Sequence, residues 1–370
     1  MDFNPTEAAT DLAKLTSDIV DRLSPAERVA ELESDRAPID RRLWTEIAAA
    51  GLLGLAAPEA VDGAGLTTLE TTAVATELGR ALARVPFGPH AVAGVPLLCA
   101  HASDRLRSEL LPRAVSGEQV LTAAVEEDGA YGPVDGLTAF DGSALTGSKV
   151  NVPYAAAADT LLVTAASAGG PLIAVVPADR SGVRITETVA TGLTPTYLVE
   201  FDAVEVAADE ILDGGAGTVD RALDLLRLAV SADQAGVIAG ALDATARYAR
   251  EREQFGRPIG SFQAVAARLA DGYIDVQALT LSVLQAAWLL SGLADTDADG
   301  ATAAVDTAKF WAAEAGHRVA HTTVHVHGGV GLDTSHPVHR YFLRAKQNEF
   351  TLGSAPVVLA ELGDLLTATR

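Results

Sequence analysis

Only one cysteine, Cys99, stands among the 370 residues, so no intrachain disulfide can form, and this usage suits a reducing cytosol. Basic residues are scarce: 27 Lys and Arg face 49 Asp and Glu, a net charge of −22. That balance opposes nucleic acid or an anionic membrane as partner and reads most simply as a solvated acidic surface. Apolar residues make up 49% of the chain, yet no unbroken apolar run approaches the roughly 18 residues that a bilayer span needs. The first twenty residues, MDFNPTEAATDLAKLTSDIV, are acidic and amphipathic, which does not fit a signal or transit peptide. Internal repeats and low-complexity tracts are also missing. A cytoplasmic protein of two or three domains, with ample buried core, is the expectation.

What is present changes period along the chain. Residues 1–117 read as helices. Ser24-Pro25 offers a cap and a first-turn proline, Leu43, Ile47, Leu52 and Leu53 form an apolar stripe closed by Gly51 and Gly54, and a helix is expected from Thr68 to Ala83. Residues 118–214 alternate instead, as in Thr160–Thr164 and Leu172–Val176, with turns at Asp141-Gly142 and Gly169-Gly170. Several short strands close together suggest a small barrel or sandwich. After a linker at Gly214–Gly217 the helical period returns over 215–370, through about four long helices, for which an antiparallel bundle is the natural packing.

The most informative stretch runs from Tyr248 to Gln277. A charged helix end leads into Arg252-Glu253-Gln254-Phe255-Gly256, then a Pro/Gly turn, then a second helix. Ser261 is placed to cap it, and Phe262, Val265, Leu269, Tyr273 and Val276 follow at helical steps. Read physically, this is a helix–turn–helix corner that can present a cation and free backbone N–H groups to an anion. A plainer reading pairs Arg252 with Glu251 or Glu253 on the surface.

The same letters, R-x-Q-F-G-R-P-I-G-S-F-Q over Arg252–Gln263 with A-D-x-Y at Ala270–Tyr273, resemble the fingerprint of the acyl-CoA dehydrogenases. Ala57–Leu66 is similar to that family's PEEyGGxG turn, departing from it at Val61-Asp62. Glu77-Leu78-Gly79-Arg80 and the strand Leu198–Val204 match as well. The likeness is greatest to the smaller subunits of actinobacterial heterotetrameric steroid (cholesterol) side-chain acyl-CoA dehydrogenases. It implies an α+β fold with an N-terminal helical domain (1–117), a middle small β-barrel or sandwich domain (118–214) and a C-terminal four-helix bundle (215–370). It also implies FAD as cofactor, an acyl-CoA substrate, and a second, catalytic subunit as partner in an α2β2 heterotetramer.

In that family FAD takes a hydride from the acyl β-carbon while a carboxylate removes the α-proton. Each FAD lies across two subunits, so the motifs form two half-sites. The half that grips pyrophosphate and adenine is present here: Arg252, Gln254, Phe255 and Gln263 complete the corner. Gly328-Gly329-Val330-Gly331 resembles the family's Q-x-x-G-G-x-G loop, with His325 in place of its glutamine as a possible donor. The half that cradles the flavin ring is altered. Glu126 replaces a flavin-bonding hydroxyl, Tyr131 a glycine, Asn151 a packing tryptophan, and Pro153 a second hydroxyl together with its backbone donor.

The base is absent from both places where the family keeps it: Leu226 and Leu352 occupy them, and leucine accepts no proton. Glu349, one turn before Leu352, and Asp233, beyond Leu226, are the nearest carboxylates. They read first as a solvated helix residue and a bundle hydrogen-bond partner. His317, His321 and His325 step by four, but no carboxylate completes a metal-ligand set with them. Three readings follow. This chain is a non-catalytic subunit lending FAD contacts to a catalytic partner, a self-sufficient homotetrameric dehydrogenase with a displaced base, or a helical scaffold without cofactor.

Overall fold

The computed structural model describes residues 3–129, 136–293 and 296–368. Six α-helices come first: α1 (Glu7–Leu23), α2 (Ala26–Ser34), α3 (Arg41–Ala49), α4 (Thr68–Arg80), α5 (Val95–His101) and α6 (Asp104–Val115). Their starts follow capping chemistry. The Asp40 carboxylate accepts from the N–H groups of Arg42 and Leu43 to open α3, and Thr67 with Glu70 forms a capping box at α4. Ser24 does not act as the expected cap. It closes α1, and Pro25 precedes α2 without a side-chain bond. Helix α4 ends three residues short of Ala83, where Leu82 turns to φ 53°. In the turn after α3, Asp62 takes φ 60°, a conformation Asp tolerates better than most residues, so its departure from a glycine pattern is structurally accommodated. The stripe Leu43, Ile47, Leu52 and Leu53 is fully buried.

Seven strands follow: β1 (Leu121–Ala124), β2 (Ala139–Phe140), β3 (Ala144–Pro153), β4 (Thr160–Ala165), β5 (Leu172–Pro177), β6 (Val183–Thr188) and β7 (Thr196–Glu205). They make two sheets, β1-β4-β5 and β2-β3-β7-β6, stacked as a sandwich; β1 and β4 pair parallel, and the other strand pairs among the described residues are antiparallel. The first sheet is the middle layer of the molecule. Leu161, Val163, Ala174 and Val176 face the second sheet, while the alternate residues Leu162, Ile173 and Val175 face the helices. That double burial explains why β4 is covered at every position, with threonines at Thr160 and Thr164 and apolar residues at the rest. His90 joins the layers: its Nδ1 accepts from Leu121 N–H at 3.0 Å and its Nε2–H donates to Ala114 O at 3.0 Å. Burial pushes its pKa down to about 4, so it stays neutral.

The chain then forms α7 (Ala216–Glu251), the short strands β8 (Glu253–Gln254) and β9 (Arg257–Pro258), α8 (Gln263–Leu290), α9 (Ala298–His327), α10 (Val338–Phe350) and α11 (Ala355–Ala368). Helices α7 to α10 pack as a bundle, and α11 lies on α9. Gly214 and Gly215, at φ 101° and 55°, turn the chain into α7. The bundle meets the N-terminal helices where α7 crosses α4. A Cβ on Gly236 would stand 1.8 Å from Thr76 O, and one on Gly79 2.3 Å from Asp233 O. Although no apolar run is long, three helical stretches reach the length and mean hydropathy of a membrane span: α7, α8 and Val338–Thr367. The apolar window of α7 lies inside the fold, whereas the other two keep much of theirs outside it.

Candidate functional site

Two places carry chemistry. The first is a cavity of about 610 Å³ between α4, the ends of β1 and β3, α7 and the turn between α10 and α11. Leu226 from α7 and Leu352 from that turn both line it, so the two positions expected to hold a base converge on one pocket, and both are leucine. Leu352 sits at φ 57°, which turns its N–H toward Glu126, and that N–H donates to Glu126 Oε1 at 3.1 Å. Burial pushes the Glu126 carboxyl above the usual range. The Leu352 N–H, the Asn151 side chain and the charges of Lys309 and Arg227 oppose that shift. Asn151 and Pro153 line the same cavity, Asn151 at φ 53° in a bulge of β3 between Lys149 and Val152. Tyr131 lies outside the described residues.

The carboxylates considered as substitute bases are committed elsewhere. Asp233 lines the cavity, but Arg344 holds both of its oxygens, at 2.9 and 2.8 Å, and Asn348 donates to one at 2.6 Å. Glu349 is not a solvated helix residue. It is half-buried beside α9, accepting from Lys346 Nζ at 2.6 Å with His317 Nδ1 at 3.3 Å, and it does not line the cavity. Beneath the cavity floor runs a buried polar network that composition does not suggest. Arg227 donates to Leu352 O at 3.1 Å and to Asp306 at 2.8 Å, and it pairs with Glu361. Burial raises the Asp224 pKa to about 6 and lowers that of Lys309 to about 7. The signal for this network was the Arg227 that follows the base-position leucine. Its partners lie 79 and 134 residues away, beyond any local pattern.

The second place is the end of the bundle where α7 and α9 finish. The corner is a hairpin between helices rather than a direct helix–turn–helix. Phe255 and Gly256, at φ 54° and 79°, form a two-residue turn of the type I′ kind between β8 and β9. Ser261 is not the cap of α8. Its hydroxyl donates to Pro258 O at 2.7 Å, and the helix begins at Gln263 after Phe262. Phe255 is 92% exposed, with its ring edge-on to Phe262, over which Arg257 lies at 4.2 Å. Arg252 and Gln263 are exposed, and the Gln254 side chain donates to the neighbouring Glu253 carbonyl at 2.9 Å. The plainer reading of Arg252 is not observed: among the described residues no ion pair joins it to Glu251 or Glu253.

Helix α9 ends at His327, whose ring stacks on Tyr248 at 4.3 Å. That contact brings the glycine loop to the same end of the bundle as the corner. Gly328 turns at φ 61°, and a Cβ on Gly328 or Gly329 would meet nothing within 4 Å, so this backbone is open to an approaching ligand. Gly331 differs: a Cβ there would stand 2.8 Å from Val324 O. His325 is exposed on the last turn of α9. The rings of His317 and His321 stand 4.4 Å apart, and no cluster of three potential metal ligands occurs among the described residues.

Profiles of the acyl-CoA dehydrogenase N-terminal and C-terminal domains match residues 6–118 and 213–364. The chain is 45% identical over 372 residues to the acyl-CoA dehydrogenase FadE27 of Mycobacterium tuberculosis, over the whole length of both. It is 33% identical to FadE28 of the same organism, over 98% of each chain. Among solved structures it superposes on a chain of the ChsE4-ChsE5 complex from Mycobacterium tuberculosis with a TM-score of 0.94, 44% identity and full coverage of both chains. A chain of the Tcur3481-Tcur3483 steroid acyl-CoA dehydrogenase gives 0.92 at 38% identity, over 98% of each. The protein therefore belongs to the acyl-CoA dehydrogenase family, whose members are FAD-dependent oxidoreductases.

Proposed function

We propose that this chain is the non-catalytic subunit of a heteromeric, FAD-dependent acyl-CoA dehydrogenase. It gives half of an FAD site to a catalytic partner subunit in an α2β2 assembly. The observation that carries this reading is the pairing of the two base positions: Leu226 and Leu352 line one pocket, and leucine accepts no proton, while the Asp233 carboxylate in that pocket is held by Arg344 and the Glu126 carboxyl is engaged by the Leu352 N–H. A steroid side-chain acyl-CoA as the substrate of the complex is supported by similarity to a chain of a structure described as a steroid acyl-CoA dehydrogenase.

FAD fits one of the two places and not the other. At the bundle end, an exposed arginine with no ion pair among the described residues and an open glycine backbone suit a pyrophosphate. Arg252 would hold phosphate oxygens through charge-assisted bonds. Gln254, Gln263 and His325 offer further hydrogen-bond donors, Phe255 an exposed ring, and Gly328 and Gly329 a close approach. The cavity does not fit the flavin ring, because Glu126 extends into it and its backbone donor at Leu352 is already engaged. When bound, FAD accepts the hydride from the substrate, and this chain's share is to hold the cofactor's dinucleotide end.

The test is Arg252→Ala in the complex co-expressed with its catalytic partner. Losing charge-assisted bonds worth about 1.5–3 kcal/mol should weaken FAD retention roughly ten- to a hundredfold. Unchanged retention would remove Arg252 from the site and favour a scaffold without cofactor contact.

A further inference from the structure

One side chain that lines the cavity, Glu126, has its position fixed on three sides. Glu126 follows β1, and the alternation of the extended chain sends Glu127 to the opposite side. There Glu127 is wholly buried, paired with Lys149 at 2.7 Å and accepting from the N–H groups of Leu137 and Thr138 at 2.9 and 2.8 Å. The Glu126 carbonyl accepts from Val150 N–H at 2.9 Å. With its neighbour anchored and its own backbone paired to β3, the Glu126 side chain is directed into the cavity. The donor that meets it on the far wall is equally fixed: Arg227 holds Leu352 O at 3.1 Å while the Leu352 N–H donates to Glu126. Arg227 is itself held by Asp306 and Glu361.

We propose that Glu126 is the residue that shuts the flavin ring out of this chain's own cavity, by a latch from its carboxylate to the Leu352 N–H. The inference rests on the reading above, in which the ring sits in the partner subunit. An entering isoalloxazine would have to take the Leu352 N–H away from the Glu126 carboxyl, and its carbonyl-bearing edge would then face carboxyl oxygens. Losing that donor would leave the Glu126 carboxyl with the Asn151 side chain alone, which is costly in a partly buried place, so the latch opposes entry twice. Leu226 and Leu352 remove the base, whereas Glu126 removes the cofactor. The two losses are chemically separate, and the second can be reversed alone.

The experiment uses the complex with its partner and its tightly held FAD, and adds lumiflavin, which is the ring without the dinucleotide. Binding is read by equilibrium dialysis and by quenching of lumiflavin fluorescence. The native complex should take up none. Glu126→Thr and Glu126→Ala should each bind one lumiflavin per heterodimer, at least roughly tenfold more tightly than native. Glu126→Gln, which keeps the length and an acceptor for Leu352 N–H, should stay closed. FAD content equal to that of the native complex verifies that each variant is folded and assembled. The proposal is overturned if the Thr and Ala variants remain as closed as native, if native takes up lumiflavin, or if the Gln variant opens as fully as the Thr variant. Failure of the underlying reading looks different: the native complex would already hold two FAD per heterodimer before any probe is added.

Discussion

Lys309 is fully buried, and its ammonium donates to the carbonyls of Asn348 and Glu349 at 3.1 and 3.3 Å, capping the end of α10. Burial first, and then the charge of Arg227, lower its pKa from 10.5 to about 7. A folded-state pKa below the unfolded one gives stability that is complete above pH 10.5 and lost as pH falls toward 7. Urea midpoints for native protein and Lys309→Met should therefore diverge as pH rises from 7 to 10, with native gaining. Parallel curves would mean that Lys309 keeps its ordinary proton affinity. Glu349, bound to Lys346 and facing away from the cavity, should be dispensable for dehydrogenation, so Glu349→Gln in the complex should retain native turnover. Abolished turnover would restore a displaced base. At this scale the letters of Arg252–Gly256 and the leucines at both base positions were legible because each is a fixed sequence pattern. The bond from Leu352 to Glu126 was not, since it joins residues 226 apart.

Among elements, the crossing of α4 and α7 carries the most sharply defined packing. Gly79 and Gly236 let the two backbones approach within a distance that no side chain permits. Gly236→Ala would drive a methyl against Thr76 O at 1.8 Å, and the helices would have to part. A cost of about 1–3 kcal/mol or more is expected, read as a lower melting temperature and urea midpoint. A native-like melting temperature would show that the crossing relaxes freely. Helical periodicity and strand alternation were enough to locate α4, β4 and β5, and the family resemblance located β7. The hairpin β8–β9 escaped because two-residue strands have no period to detect, and only the φ values of Phe255 and Gly256 reveal it. Ser24 and Ser261 show the limit of capping rules: a serine near a helix start can instead close the preceding helix or bond a preceding carbonyl.

For the whole molecule, the layer order of helices, sandwich and bundle places the two sites far apart in role. The cavity lies where the three layers meet, and the motifs proposed to grip FAD stand at one exposed end of the bundle. Helix α8 presents Tyr273, Ile274 and Leu281 outward, and an apolar face of this kind suits a subunit contact. The sequence alone made the family and the architecture readable, because its motifs are contiguous. The proposed division of labour between subunits rests on residues the sequence lacks, since the chain that would supply them is not written in it. The decisive measurement is flavin content, taken on this chain purified alone and again after co-expression with its catalytic partner. A colourless chain alone, and one FAD per heterodimer in the complex, is the expected result. One FAD per chain in the lone protein would contradict the shared site and return the chain to the self-sufficient dehydrogenases.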